Sequence, residues 1–99
     1  MTSCACGGLA TKNVNSGEVR NMMLLVTSVE GKEFTIQNAS YRLWEQGNPS
    51  QIIDSGICSI DENTISAIIS FQTPGRFVLE FTYHIGPETY IQRPIINVN

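Results

Sequence analysis

Residues 64–85 read Thr-Ile-Ser-Ala-Ile-Ile-Ser-Phe-Gln-Thr-Pro-Gly-Arg-Phe-Val-Leu-Glu-Phe-Thr-Tyr-His-Ile, and this stretch decides the fold class. Apolar side chains recur at every second position on both sides of a Thr-Pro-Gly turn. They are Ile65, Ala67, Ile69 and Phe71 before the turn and Phe77, Leu79, Phe81, Tyr83 and Ile85 after it. Successive side chains of a strand point to opposite faces, so this alternation is typical of strands with one buried face. The stretch therefore predicts two β-strands separated by a turn.

Five more short strands are predicted outside this stretch. They cover residues 19–29, 34–37, 39–44, 52–60 and 89–98. The first is apolar on both alternating faces, which favours a central strand. Gly56 indicates a bend or bulge in the fourth, and Pro94 indicates an edge position or a bulge in the last. No segment keeps a helical period, so the sequence predicts an all-β sandwich of about seven antiparallel strands.

The chain of 99 residues is long enough for one domain. Residues 1–17 are small, polar and rich in glycine, and we interpret them as a flexible N-terminal arm or an irregular edge. Residues 18–99 then form a single β-sandwich domain. Three cysteines are an odd number, so no closed disulfide framework is implied, and reduced thiols are the simpler interpretation.

Charge and hydropathy exclude several classes of partner. The net charge is −3, and the six basic residues are scattered along the chain rather than clustered. Nucleic-acid binders need a basic patch to neutralise phosphates, so neither nucleic acid nor an acidic membrane is an expected partner. No apolar run is long enough to span a bilayer, and residues 1–8 lack the features of a signal peptide. We therefore expect synthesis in the cytoplasm.

The stretch from Ala39 to Val98 resembles the immunoglobulin-like or fibronectin-III-like sandwich domains of phage and prophage structural proteins and of bacterial surface proteins. The resemblance runs through residues 39–44, 52–56 and 64–69 and is most characteristic at Thr73-Pro74-Gly75-Arg76-Phe77, a turn that leads into the penultimate strand. It implies a domain that binds or decorates rather than catalyses. Phe77 replaces the corner tyrosine of antibody domains, and Leu79 stands where an inter-sheet cysteine would lie, so no such disulfide is expected.

Cys4, Cys6, Cys58 and His84 together would supply three sulfurs and one nitrogen to zinc. Structural zinc sites usually carry two closely spaced ligand pairs, and the second pair is missing here. His84 is the only histidine and lies on the outward set of its strand, with no Gly-x-Ser-x-Gly motif in the chain. We therefore assign no catalytic, cofactor-binding or metal-binding residue. Unpaired thiols, a disulfide and a metal site remain open for the three cysteines.

Trp44, the only tryptophan, lies on the set opposite Tyr41 and Leu43. It either packs under a loop or the other sheet, or serves as an exposed anchor at an interface, where tryptophan is enriched. The predicted turn at Gly86, Pro87 and Glu88, with Tyr90, would add a loop surface of the kind that sandwich domains use for binding.

We therefore expect a non-enzymatic structural or protein-interaction module, in its most specific form a phage or prophage virion component of the tail, baseplate or head decoration. Its partner would be another protein or a further copy of the chain. The alternative is a small carbohydrate- or ligand-binding β-sandwich domain that uses an exposed Trp44 or Tyr90. A metalloprotein using the three cysteines is the third hypothesis.

Overall fold

The computed structural model describes residues 4–7, 12–28 and 34–99, and these form ten β-strands. The strands are β1 Cys4–Gly7, β2 Lys12–Val14, β3 Val19–Ser28, β4 Asn38–Glu45, β5 Ile52–Ile57, β6 Ser59–Asp61, β7 Thr64–Ser70, β8 Gly75–Ile85, β9 Glu88–Gln92 and β10 Ile95–Val98. None of the described residues belongs to a helix with the length and hydropathy needed to cross a membrane.

The strands form two sheets. The first sheet has the order β1-β3-β7-β6, and the second has the order β2-β10-β8-β4-β5, with β9 also paired to β8. The order of the first sheet matches strands A, B, E and D of immunoglobulin-type sandwiches. Strands β10, β8 and β4 of the second sheet match strands G, F and C. The predicted all-β sandwich is confirmed, although β10 and β2 form a parallel pair rather than an antiparallel one.

The core lies between the sheets. The inward side chains of the stretch that decides the fold are buried from Ile65 to Tyr83 at every second position, and Ile85 is partly buried. Met22, Leu24 and Val26 on β3 lie beside the β7 members of this set in the first sheet, and together they face the β8 members across the core. Leu24 and Leu79, both fully buried, fill the centre of the sandwich, and Cys58 in the core is a free thiol.

The predicted count of about seven strands is wrong, because the described residues contain ten. Residues 34–37 are not a strand, although Ile36 is buried and Gln37 N–H donates to the His84 carbonyl. The strand predicted over 52–60 is two strands in different sheets, and the chain changes sheets at Cys58 rather than bending at Gly56. Two short strands, β1 and β2, were not predicted.

The last predicted strand is divided into β9 and β10. Phe81 pairs with Gln92 and Val78 with Ile95, so both pieces keep one register against β8. The break falls at Arg93-Pro94, because proline has no N–H to donate to a ladder. The Pro94 carbonyl still accepts from Leu79 N–H at 3.0 Å. The break therefore leaves Arg93 directly across from Glu80.

Two of the strands lie within residues 1–17. β1 lies at one edge of the first sheet, and β2 lies at one edge of the second. Val14 on β2 belongs to the core. Their sequences have too few apolar residues for a period to be recognised. The division of the chain at residue 18 stays a prediction.

Candidate interaction surfaces

Trp44 lies on the outer face of the second sheet, away from the core between the sheets. It is across from Val78 on β8 and Ile52 on β5. The guanidinium carbon of Arg42 lies 5.6 Å from the centre of the indole, a cation–π distance. Trp44 is only 8% exposed. Its packing role thus has direct support, while most of its ring is inaccessible to a partner.

The other residues of the predicted surface lie at the β8–β9 hairpin. Gly86 has φ of 57°, a left-handed conformation that glycine adopts without steric cost, and Pro87 beside it is exposed. The Tyr90 ring stacks on the buried Tyr83 ring with centroids 5.6 Å apart, and its hydroxyl donates to Glu88. Tyr90 is therefore tied into the sandwich rather than projecting from it.

The structure does not bring Trp44 and this hairpin together. Val78, across from Trp44, precedes Ile85 at the hairpin by seven positions on β8, which corresponds to roughly 23 Å of extended strand. Trp44 and the hairpin residues are therefore too far apart to form one small binding site. Binding by any of these five residues stays a prediction.

Of the residues considered for catalysis or metal binding, the structure describes the side chains of Cys58 and His84. Cys58 is buried, and burial raises the pKa of its thiol to about 11, so the thiol stays protonated at neutral pH. The His84 ring nitrogen Nδ1 lies 3.0 Å from Thr89 Oγ1. No group of three or more metal-ligating side chains occurs among the described residues. The side chains of Cys4 and Cys6 lie outside them.

An ion-pair triad centred on the buried carboxylate of Glu80 lies on the second sheet, and the sequence analysis did not identify it. Glu80 is 3% exposed at the centre of the outer face. Its Oε1 accepts from Arg42 Nε at 2.9 Å and Nη2 at 2.6 Å, and its Oε2 accepts from Arg93 Nε at 2.8 Å. Both arginines are cross-strand neighbours of Glu80, one on each side.

The electrostatics of the triad follow from this geometry. Burial raises the pKa of the Glu80 carboxyl, but the hydrogen bonds and charges of Arg42 and Arg93 outweigh burial, so the pKa lies below its usual value. The carboxylate is therefore ionised at neutral pH, and it accepts three hydrogen bonds from the two arginines. Because it is buried and both of its oxygens face guanidinium groups, the arrangement favours a structural role.

The outer face of the first sheet has the opposite character. Val19, Met23 and Leu25 on β3 and Ile68 on β7 all point outward, and each is between 51% and 71% exposed. Ile68 is across from Asn21, so it lies diagonally between Val19 and Met23. We call these four residues the apolar face. Its outward neighbours on the same two strands are Asn21, Thr64, Ser66 and Ser70, none of them charged.

An open strand edge adjoins the apolar face. β6 pairs only with Thr64, Ile65 and Ser66 of β7, so residues 67–70 have no strand on that side among the described residues. A cavity of about 270 Å³ lies at this point. Its walls are formed by Asn21, Tyr41, Ile57, Ser59, Ser66, Ala67 and Ile68. We call residues 67–70 with this cavity the β7 notch.

The comparisons with known proteins give similarity of fold only. No protein-family model and no curated protein matches the chain. Among solved structures, the whole chain is similar to an engineered protein with TM-score 0.69 and 11% identity, although it spans only 20% of that protein. It is also similar to titin domain M7, with TM-score 0.56, 16% identity and coverage of 100% of this chain and 97% of that domain.

A superoxide reductase (neelaredoxin) variant from Ignicoccus hospitalis is a third similar structure. Its TM-score is 0.58 at 13% identity, with coverage of 98% of this chain and 80% of that one. Identities this low support a shared fold and carry no function with them. The chain thus has an immunoglobulin-like β-sandwich fold.

Proposed function

We propose that this protein is a non-enzymatic interaction module that binds another protein chain through the apolar face. The observation that carries the proposal is the exposure of Val19, Met23, Leu25 and Ile68 close together on β3 and β7, whose outward positions carry no charged side chain. Contiguous exposed apolar side chains on a folded domain commonly mark protein interfaces, because covering them removes apolar surface from water.

The absence of an enzymatic role belongs to the same proposal. Its support is chemical: the single histidine bonds to Thr89, and the Cys58 thiol is buried and protonated. A nucleophile has to reach a substrate, and the buried Cys58 thiol is not placed to do so. His84 is partly exposed, but its ring bonds to a hydroxyl rather than to the carboxylate that orients the histidine of a catalytic triad. A virion component of the tail, baseplate or head decoration is the most specific form of the proposal, and its support is the sequence resemblance over residues 39–98.

The carbohydrate-binding alternative ranks second. Sugar-binding surfaces of this kind would need an open aromatic ring, and the sequence predicts that role for Trp44 or Tyr90. Trp44 is covered and Tyr90 stacks against Tyr83, so each ring has at least one face engaged within the domain. The large apolar side chains that are exposed among the described residues are those of Val, Met, Leu and Ile, none of them aromatic.

Position-resolved cross-linking tests the proposal. A photoreactive amino acid replaces Met23 in the full chain, which is expressed in its native source and irradiated. The matched control places the same group at Ile91, an exposed residue on the outer face of the second sheet and remote from the β7 notch in the strand order. We expect a discrete adduct with a protein, identified by mass spectrometry, from position 23 and a much weaker one from position 91.

Two results would contradict the proposal. The first is the absence of any protein adduct from position 23. The second is equal adducts from both positions, since these would report random collision rather than a specific face. A second copy of this chain in the adduct would identify self-assembly as the form of the interaction.

A further inference from the structure

We propose that the β7 notch binds an extended, uncharged segment of a partner protein, which pairs antiparallel with residues 67–70 as an added strand of the first sheet. This inference rests on the proposed function in taking a protein as the partner. It goes further in assigning a second contact region, a conformation for the bound segment and the chemistry of its side chains.

The hydrogen-bond pattern of β7 supplies the first argument. In an antiparallel strand the backbone groups of successive residues point alternately to the two neighbouring strands. The Asn63 carbonyl accepts from Val26 N–H, and Phe71 N–H donates to the Glu18 carbonyl, so odd-numbered residues bond towards β3. Even-numbered residues therefore bond on the other side, where β6 pairs with Thr64 and Ser66. The N–H and C=O groups of Ile68 and Ser70 face the notch.

The course of the chain explains why this edge is open. β6 begins only at Ser59, because the preceding residue, Cys58, lies in the crossover from the second sheet and donates its N–H to the Ala39 carbonyl of β4. The chain therefore enters the first sheet only after Cys58, which lies at the level of Ala67. An added strand would continue the line of β6 and satisfy the groups that β6 does not reach.

The cavity supplies the second, independent argument. It adjoins the open edge, and none of its seven lining residues is charged. Its volume of about 270 Å³ is smaller than the usual 300–1,000 Å³ of small-molecule sites. In strand addition, main-chain hydrogen bonds provide affinity while pockets beside the edge receive alternate side chains. Apolar Ile57, Ala67 and Ile68 with three hydroxyl-bearing neighbours suit small apolar or hydroxyl side chains and disfavour charged ones.

The sequence of the edge is the third argument. Native sheets usually protect an open edge with charged side chains, proline or a bulge. Residues 67–70 are Ala-Ile-Ile-Ser, with regular pairing to β3 along their whole length and no charge. An unprotected edge beside an exposed apolar face is a template for pairing with another chain.

The test uses a random eight-residue peptide library displayed on phage and panned against the full chain. We expect enriched peptides to be uncharged, with apolar residues at alternate positions. Amide hydrogen exchange by NMR then reads out the geometry for one enriched peptide. The amides of Ile68 and Ser70 should gain protection on binding, whereas that of Ile69, which already bonds to β3, should change little.

Matched variants give the second readout. Ile57→Thr alters a wall of the cavity, and Ile91→Thr alters an exposed isoleucine on β9, remote from the notch in the sheet order. Both retain a β-branched side chain. N-methylation of the peptide amides that face β7 should weaken binding roughly tenfold, the equivalent of about 1.4 kcal/mol. Ile57→Thr should weaken it several-fold, and Ile91→Thr should leave it unchanged.

The inference is overturned if panning enriches no peptide, if the enriched peptides are charged, or if Ile68 and Ser70 amides gain no protection. Its failure is distinguishable from that of the proposed function. A protein adduct from position 23 without peptide binding would support docking on the apolar face and rule out binding at the β7 notch. Peptide binding at the β7 notch without that adduct would support strand addition and rule out docking on the apolar face.

Discussion

The centres of the outer faces of the two sheets differ in how much of their apolar surface is exposed to water. At the centre of the second sheet, Glu80 is hydrogen-bonded by Arg42 and Arg93, and Trp44 lies beneath the Arg42 guanidinium. Both Glu80 and Trp44 are less than 10% exposed. At the centre of the first sheet, Met23 and Ile68 are 61% and 71% exposed. The centre of one face is covered by its own side chains, and the centre of the other is left uncovered. Exposed isoleucines of the second sheet, such as Ile52, Ile57 and Ile91, lie on its flanking strands β5 and β9.

This difference suggests that the outer face of the second sheet contributes to stability, whereas the apolar face of the first sheet contributes to binding. The long arginine side chains of the second sheet cover its apolar surface with their aliphatic stems and keep their charged ends near water. The first sheet carries Ser, Thr and Asn beside its apolar residues, and these are too short to cover them. Substitutions on the second sheet should therefore change the free energy of unfolding, whereas those on the apolar face should change binding.

The largest expected effect is that of Trp44→Ala. Removing a nearly buried indole should lower the free energy of unfolding by about 3 kcal/mol, because the transfer energy is lost and a cavity remains. Urea unfolding at neutral pH measures it. Trp44→Phe, the control, keeps an aromatic ring and should recover more than half of the loss. A change in Trp44→Ala below about 1 kcal/mol would show that this face is not closed by its own packing.

Glu80→Gln should have the next largest effect. The substitution keeps the shape of the side chain but removes the charge that both arginines contact. The side chains of Arg42 and Arg93 are 54% and 57% exposed, so water can solvate them when the carboxylate is lost. We therefore expect a loss of about 1–2 kcal/mol rather than the larger cost of stranding a fully buried charge. Glu45→Gln, at an exposed carboxylate on β4, should cost much less in the same urea titration.

The acid dependence of stability sharpens the same comparison. The pKa of Glu80 is lower in the folded chain than in the unfolded chain, so its stabilising contribution is complete above the unfolded value, about 4.3. That contribution is lost as the pH falls through the folded pKa. The difference in unfolding free energy between the wild type and Glu80→Gln should therefore shrink on acidification. A difference that stayed constant or grew in acid would assign the effect to packing rather than to charge.

Local alternation predicted the core but not the outer faces. Ile65 to Tyr83 could be placed because a strand has a period of two whatever its neighbours are. Met23 and Leu25 gave β3 two apolar faces and suggested burial on both, but no described strand covers the outer one. A period shows which residues share a face. It does not show whether another layer lies over that face, because that layer comes from elsewhere in the chain or from another chain.

The Glu80 triad and the β7 notch were unpredictable for a related reason. Arg42 is 38 positions from Glu80, and the two meet only because the β4–β8 register places them opposite each other. The notch depends on where β6 begins, which is set by the crossover at Cys58 and not by any turn signal such as Gly56. At Pro94 the sequence predicted an edge position or a bulge, whereas the structure has a break between β9 and β10, and β10 lies inside the second sheet. The missing N–H is a local property, so the sequence showed that the strand is interrupted there but not in what way.

The smallest expected effect on stability is that of Ile68→Thr, and its neighbour supplies the control. Ile68 and Ile69 are adjacent on β7 but face opposite sides, one 71% exposed and the other fully buried. Threonine keeps the β-branch, so strand propensity is nearly unchanged at either position. Ile69→Thr should cost about 2 kcal/mol, because it replaces a buried ethyl group by a hydroxyl. Ile68→Thr should change the free energy of unfolding by less than about 0.5 kcal/mol, yet it should weaken the cross-link formed from position 23. If Ile68→Thr proved as costly as Ile69→Thr, the apolar face would be covered within the folded chain, and the contrast between the two sheets would no longer point to a partner.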